Sequence, residues 1–125
     1  MKTIIQTEKA PKAIGPYSQA IASGKLLFVS GQLPVKSDDG SMPAEIELQT
    51  ETALNNLMAV AEKAGASLEN VLKTTVFMTD LSLFSRMNEV YARFFPKNPP
   101  ARSTVEVRAL PKGAKIEIEA VIGLP

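Results

Sequence analysis

Arg102 follows a proline-rich turn, Pro99-Pro100-Ala101, and opens an alternating stretch, Arg102-Ser103-Thr104-Val105-Glu106-Val107. A guanidinium held at the start of a rigid strand can grip a small carboxylate through two parallel hydrogen bonds. The ordinary alternative is a surface arginine paired with a glutamate. Glu117 stands mid-strand in Lys115-Ile116-Glu117-Ile118-Glu119. If its face is covered, the carboxyl must be paired, protonated or at work, and it can then orient water or relay a proton. If uncovered, it is one member of a solvated Lys/Glu alternation. Tyr17 and the Ser30-Gly31 pair form a third group. The phenol can donate to a substrate oxygen or to water, and Gly31 lets backbone groups approach a ligand; a core tyrosine and a routine bulge would look the same. Asn88, beside Met87 in a helical segment, offers an amide that a helix surface also carries.

These groups matter because the usual ones are missing. The 125 residues include no Cys, no His and no Trp. Disulfides, thiolate nucleophiles, Cys-based metal sites and Ser-His triads are therefore excluded, and so are the commonest general base and metal ligand. Any catalysis must run on Arg, Lys, Asp, Glu, Tyr, Ser, Thr, backbone groups or a bound cofactor. Fourteen Lys+Arg against thirteen Asp+Glu leave a formal charge of +1, so no strong field of one sign exists to hold a nucleic-acid backbone. No apolar run approaches the ~20 residues of a membrane span. Met1-Lys2-Thr3-Ile4-Ile5-Gln6 reads as no signal segment, so a cytoplasmic setting is expected.

The elements that must position these groups are read from periodicity. Tyr17 to Ser23 and Leu26 to Ser30 read as strands joined at Gly24-Lys25, after a possible first strand at Thr3 to Ile5. Gly31 interrupts the pattern as a bulge glycine would. From Ala44 to Ala64 the period turns helical: Ile46, Thr50, Ala53, Leu54, Leu57, Ala61 and Ala64 share a face, with Pro43 suited to the first turn and Gly65 to the C-terminal cap. Val71 to Met78 is a strand rich in β-branched residues. A second helix is expected over Leu83 to Phe95, capped by Ser82, with Phe84, Met87, Val90, Tyr91 and Phe94 buried and Glu89 and Arg93 paired outside. Two alternating segments follow, near 103–108 and Lys115 to Ile122.

The order predicts one α+β domain over residues 1–125, with both helices on one side of a mostly antiparallel sheet. Two helices cover only one face, yet several strands are apolar on both. A closed homo-oligomer is expected to cover the other, with pockets at its seams.

Five segments in this order carry a resemblance that no one of them would. They are Ala13-Ile14-Gly15-Pro16-Tyr17-Ser18-Gln19-Ala20, Val29-Ser30-Gly31-Gln32-Leu33-Pro34, Lys73-Thr74-Thr75-Val76-Phe77, Pro100-Ala101-Arg102-Ser103-Thr104-Val105-Glu106-Val107 and Lys115-Ile116-Glu117-Ile118-Glu119-Ala120. Together they resemble the RidA (YjgF-type) family over essentially the whole chain. The resemblance implies a chorismate-mutase-like fold, assembled as a homotrimer around a central barrel with clefts between subunits. It implies a deaminase that hydrolyses 2-imino acids, tautomers of enamines released by pyridoxal-phosphate dehydratases, to 2-oxo acids and ammonia, without cofactor or metal. It also implies roles: Arg102 for the substrate carboxylate, Glu117 for the attacking water, Tyr17 as the cleft tyrosine, and Ser30, Gly31, Asn88 and Thr104 as further cleft positions. Many members carry Cys where this chain has Thr104, so a thiol-dependent role cannot operate here. A non-catalytic sensor of small carboxylates on the same scaffold would use the same Arg102. RNA cleavage, attached to some relatives, fits the balanced charge poorly.

Overall fold

Alternation of period two gives way twice to a helical period, and the chain folds accordingly. The computed structural model describes all residues, Met1–Pro125. It contains β1 (Lys2–Ile5), β2 (Ala20–Ser23), β3 (Leu26–Gln32), α1 (Ile46–Lys63), β4 (Val71–Met78), α2 (Phe84–Phe94), β5 (Ala101–Glu106) and β6 (Ile116–Gly123). The strands form one sheet in the order β1-β2-β3-β6-β4-β5. Neighbours are antiparallel except β4 and β5, which run parallel because α2 carries the chain back between them. The expected α+β class and mixed, mostly antiparallel sheet are what is found. Both helices lie on one face, α1 against β3 and β6 and both helices against each other.

Helix α1 ends as its sequence predicts. Gly65 adopts φ +84° just past the last turn, its N–H donates to Glu62 C=O, and Ala66 N–H reaches back to Ala61 C=O. That double closure needs a left-handed residue, which glycine supplies without a Cβ penalty. The start differs: Pro43 lies ahead of the helix, and its C=O accepts from Gln49 Nε2 at 2.8 Å. Gln49 and Asn56 are buried among the apolar residues because each amide satisfies backbone groups of neighbouring loops, Asn56 donating to the carbonyls of Leu33 and Val35.

Helix α2 departs from expectation in three ways. Ser82 does not cap it; Asp80 instead accepts from Ser82 N–H and closes the short turn ahead of the helix. Met87, Val90 and Tyr91 are buried, but Phe84 and Phe94 only half-buried. The outer ion pair joins Arg86 to Glu47 of α1 at 2.8 Å rather than Glu89 to Arg93, so it ties helix to helix. Strand β2 is also shorter than expected. Gly15 at φ +118° turns the chain, and Tyr17 stands in the loop before β2, not in the sheet.

Register sets which side chains share a face. Ala20, Val29, Ala120, Thr74 and Arg102 form one cross-strand row, and Ile118, Val76 and Thr104 a second. Both rows lie under the helices, where Ala20, Val29, Ala120, Thr74, Ile118 and Val76 are buried. The opposite face carries Ile21, Phe28, Val121 and Lys73 in one row and Glu117, Phe77 and Val105 in another. No helix covers that face. Phe28 and Val105 are 46% and 41% exposed on it, the two-faced apolar pattern the sequence displays.

Candidate active site

The expected residues fall into two groups on opposite faces of the sheet. The first is on the helix face, at the outer edge strand β5. Arg102 lies half-buried, its guanidinium carbon 4.7 Å from the Tyr91 ring centre and 5.4 Å from that of Phe84. Ring quadrupoles attract a cation so placed. Arg102 Nη1 donates to Asn88 Oδ1 at 2.8 Å. Because arginine only donates, the Asn88 atom facing it must be the oxygen, which leaves the amide NH2 as a donor. The Arg102 contact thus uses one corner of the fork and leaves the Nε–Nη2 edge, the geometry that matches a carboxylate.

Beneath this group, the Tyr91 hydroxyl and Thr74 Oγ1 lie 2.7 Å apart in a buried hydrogen bond. Burial pushes the Tyr91 phenol above its ordinary range, against smaller opposing effects of Thr74 and Arg102, so it stays neutral. Thr104 lies two residues along β5 on the same face. Its Oγ1 is buried without a hydrogen-bond partner, a costly state for a hydroxyl unless a ligand or another chain completes it. Phe84, Asn88 and Tyr91 sit at i, i+4 and i+7, so one helical stripe meets the guanidinium. From periodicity, Phe84 and Tyr91 read only as core. The detectable signal was that Asn88 interrupts their stripe.

The second group occupies the open face. Glu117 of β6 is half-buried beside Gly31 at the bulge where the β3–β6 register shifts. A Cβ at Gly31 would collide with Glu117 Oε2 and stand 2.7 Å from its carboxyl carbon. Gly31 is therefore glycine for close approach: it opens the notch in which the carboxyl lies. Burial, and secondarily the charge of Glu119, push the Glu117 carboxyl above its ordinary value. Ser30 Oγ donates to Ser18 C=O at 2.6 Å and its N–H to Gln19 C=O at 2.9 Å, so its proton holds the Tyr17 loop. Tyr17, 53% exposed, lines an open hollow of about 510 Å³ with Pro16, Ser18, Phe28 and Ser30.

One copy of the chain therefore joins Arg102, Asn88 and Thr104, and separately Tyr17, Ser30, Gly31 and Glu117, with the sheet between the two groups. The first can hold a carboxylate; the second presents a carboxyl with raised proton affinity in the notch at Gly31, next along the chain from Ser30, which shares the hollow with Tyr17. No group of three or more acidic side chains is placed to hold a metal ion, and no helix is long and apolar enough to cross a membrane.

A family model described as Endoribonuclease L-PSP matches residues 7–123. A RutC family protein of Pyrococcus abyssi is 50% identical over 121 residues, covering 96% of this chain and 95% of the relative. The provisionally named reactive intermediate deaminase TdcF of Escherichia coli is 46% identical over 124 residues, covering 97% and 96%. The crystal structure of E. coli TdcF with bound serine superposes with a TM-score of 0.96 at 44% identity, covering 98% of this chain and 99% of that one. RidA from an Antarctic Psychrobacter superposes with a TM-score of 0.95 at 41% identity, with the same coverage.

Proposed function

Since the chain belongs to the family matched by that model, the YjgF/RidA family, we propose that it is an enamine/imine deaminase. It hydrolyses 2-iminobutanoate and 2-iminopropanoate, released by pyridoxal-phosphate dehydratases in the cytoplasm, to 2-oxo acids and ammonia. The observation that carries this reading is the guanidinium of Arg102, stacked near two rings and tied to Asn88, with its carboxylate-binding edge free. The relative solved with bound serine supports it, because serine is a small α-amino acid with the carboxylate that Arg102 would grip.

A carboxylate on Arg102 and a water on Glu117 must meet within one substrate length, so a second copy supplies the other face. The whole chain, residues 1–125, acts as one RidA-like domain in a homotrimer around a central barrel, with the half-apolar open face packed inside. Light scattering of the purified protein is expected to give three chain masses; a monomer at micromolar concentration would remove the shared site.

In that cleft Arg102 fixes the carboxylate and places C2, Asn88 and the Thr104 hydroxyl donate to the substrate, and Ser30 and Gly31 shape the wall. The protonated imine is already electrophilic, so orientation and charge placement supply most of the catalysis. Glu117 takes a proton from water as its oxygen bonds to C2 and the C=N pair moves to nitrogen. It returns that proton to the nitrogen of the carbinolamine. The C–N bond then breaks with its electron pair going to nitrogen, and the hydroxyl gives its proton to the ionised Glu117 as the C=O forms. Glu117 passes that proton to the departing ammonia, which leaves as ammonium. Tyr17 shapes the cleft and assists proton transfer. No thiol, imidazole, metal or cofactor enters the proposed steps.

A purified threonine dehydratase supplies the test. With a competing amine trapping the imine, wild-type protein is expected to accelerate 2-oxobutanoate formation; no acceleration sinks the reading. The bound serine in the TdcF structure also favours a second reading, non-catalytic binding of small carboxylates. Glu117→Ala separates them: a deaminase loses turnover and still binds a 2-oxo acid, whereas a sensor has no turnover to lose.

A further inference from the structure

Residues 7–18 carry Tyr17 but belong to no helix or strand. Outside the helices and strands, their single backbone–backbone hydrogen bond stays within the segment, from Tyr17 N–H to Gly15 C=O at 2.9 Å. What fastens this segment to the fold is largely one side chain. Gln19 is 4% exposed. Its Oε1 accepts from Thr7 N–H at 2.7 Å, and its Nε2 donates to Pro11 C=O at 2.8 Å and Thr7 C=O at 3.1 Å, with Ala10 C=O at 3.4 Å. Ala10 is buried in the core at the same point. On the other side, the two hydrogen bonds from Ser30 hold Ser18 and Gln19 beside the bulge.

We propose that Gln19 is a positioning residue for Tyr17. It touches no substrate; it draws three carbonyls and one N–H from 8 to 12 residues upstream around a single amide. The chain between must then arch out, and Tyr17 stands on the returning limb of that arch. Only a primary amide offers an acceptor and two donors on one short stem: glutamate lacks the donors when ionised, and leucine or methionine lacks both. The kinetic part of this inference rests on the imine-hydrolysis reading; the structural part does not.

The test measures hydrogen exchange over residues 7–18 together with kcat and KM in the coupled assay, for wild type, Gln19→Ala and Gln19→Glu. Gln49→Ala serves as control, since it removes another buried amide that bridges Pro43 and Lys115. In Gln19→Ala the Thr7 amide is expected to lose protection, and kcat to fall about 10-fold or more, as displacement of a group by a fraction of an ångström can do. KM is expected to hold, because Arg102 is held separately by α2. Gln19→Glu retains the Thr7 acceptor and should protect that amide better than alanine does, while kcat stays low. Equal kcat loss in Gln49→Ala at matched melting temperature would reduce the effect to general softening and overturn the proposal. So would a freed loop with unchanged kcat. If wild type itself has no turnover, the imine reading fails. Gln19 is then judged by exchange alone, where unchanged protection in Gln19→Ala overturns it.

Discussion

Arg102→Lys is expected to lower kcat/KM for the imino acid about 100-fold, and Arg102→Ala about 1000-fold, the range for breaking a desolvated, hydrogen-bonded charge pair. Lysine keeps the charge but not the planar fork. It cannot make two parallel bonds to a carboxylate, and its compact ammonium stacks less well on the rings of Phe84 and Tyr91. The Asn88 oxygen also loses the Nη1–H that orients it. The loss should fall on both constants. KM rises because the carboxylate is held less tightly, and kcat falls because C2 is no longer placed before the water. Steady-state kinetics with melting curves of each variant check this. Wild-type activity in Arg102→Lys would remove the guanidinium from the site.

Glu117→Gln is expected to lower kcat about 100-fold to 10,000-fold, the range for removing a general base. It is also expected to raise the melting temperature near neutral pH. The sign follows from the shift: burial lifts the folded-state pKa above the ordinary 4.5, so the folded protein holds this proton more tightly than the unfolded chain. The stability gained from that proton is complete below 4.5 and is lost as pH rises through the folded value. At neutral pH the ionised carboxylate opposes folding, and an uncharged isostere relieves it. The same shift sets activity: kcat should rise with pH along a limb above the usual carboxylate range. That limb should move down in Glu119→Gln, because the Glu119 charge is the lesser cause of the shift. Gly31→Ala probes the notch from the other side. Its Cβ displaces the flexible carboxyl end, so turnover should fall steeply at little cost in stability. A Gly31→Ala protein with full activity, or a Glu117→Gln protein that melts lower at neutral pH, would contradict this placement.

Much of the fold was legible because local physics generates it. The 3.6-residue stripe from Ile46 and the alternation of Ile116, Ile118, Ala120 and Ile122 each state which residues are buried, and those residues are buried except Ala64, which the end of α1 leaves half-buried. Gly65 is legible as a helix stop because only a left-handed residue closes the last turn of α1. The failures share a cause. Tyr17 has the apolar neighbourhood of a strand, but Gly15-Pro16 turns the chain and Gln19 fastens it to residues far upstream. Arg93 has its glutamate at helical spacing, yet Arg86 finds Glu47 across the helix interface. In each case a contact distant in sequence outweighed a local preference worth only a few tenths of a kcal/mol.

The site divides along the same line. From residue types alone one learns that chemistry here runs without thiol or imidazole, and that Arg102 and Glu117 stand at strand positions able to hold a carboxylate and a water. Alternation also states that Arg102 and Thr104 share a face. It cannot say that this face lies opposite that of Glu117, because facing between strands depends on register, and register is set by pairing between segments far apart in the chain. The notch at Gly31, the two rings near Arg102 and the Gln19 clamp belong to that same class. Each is a meeting of side chains from separate elements, and such meetings exist only after the sheet order and the α2 crossover have brought those elements together.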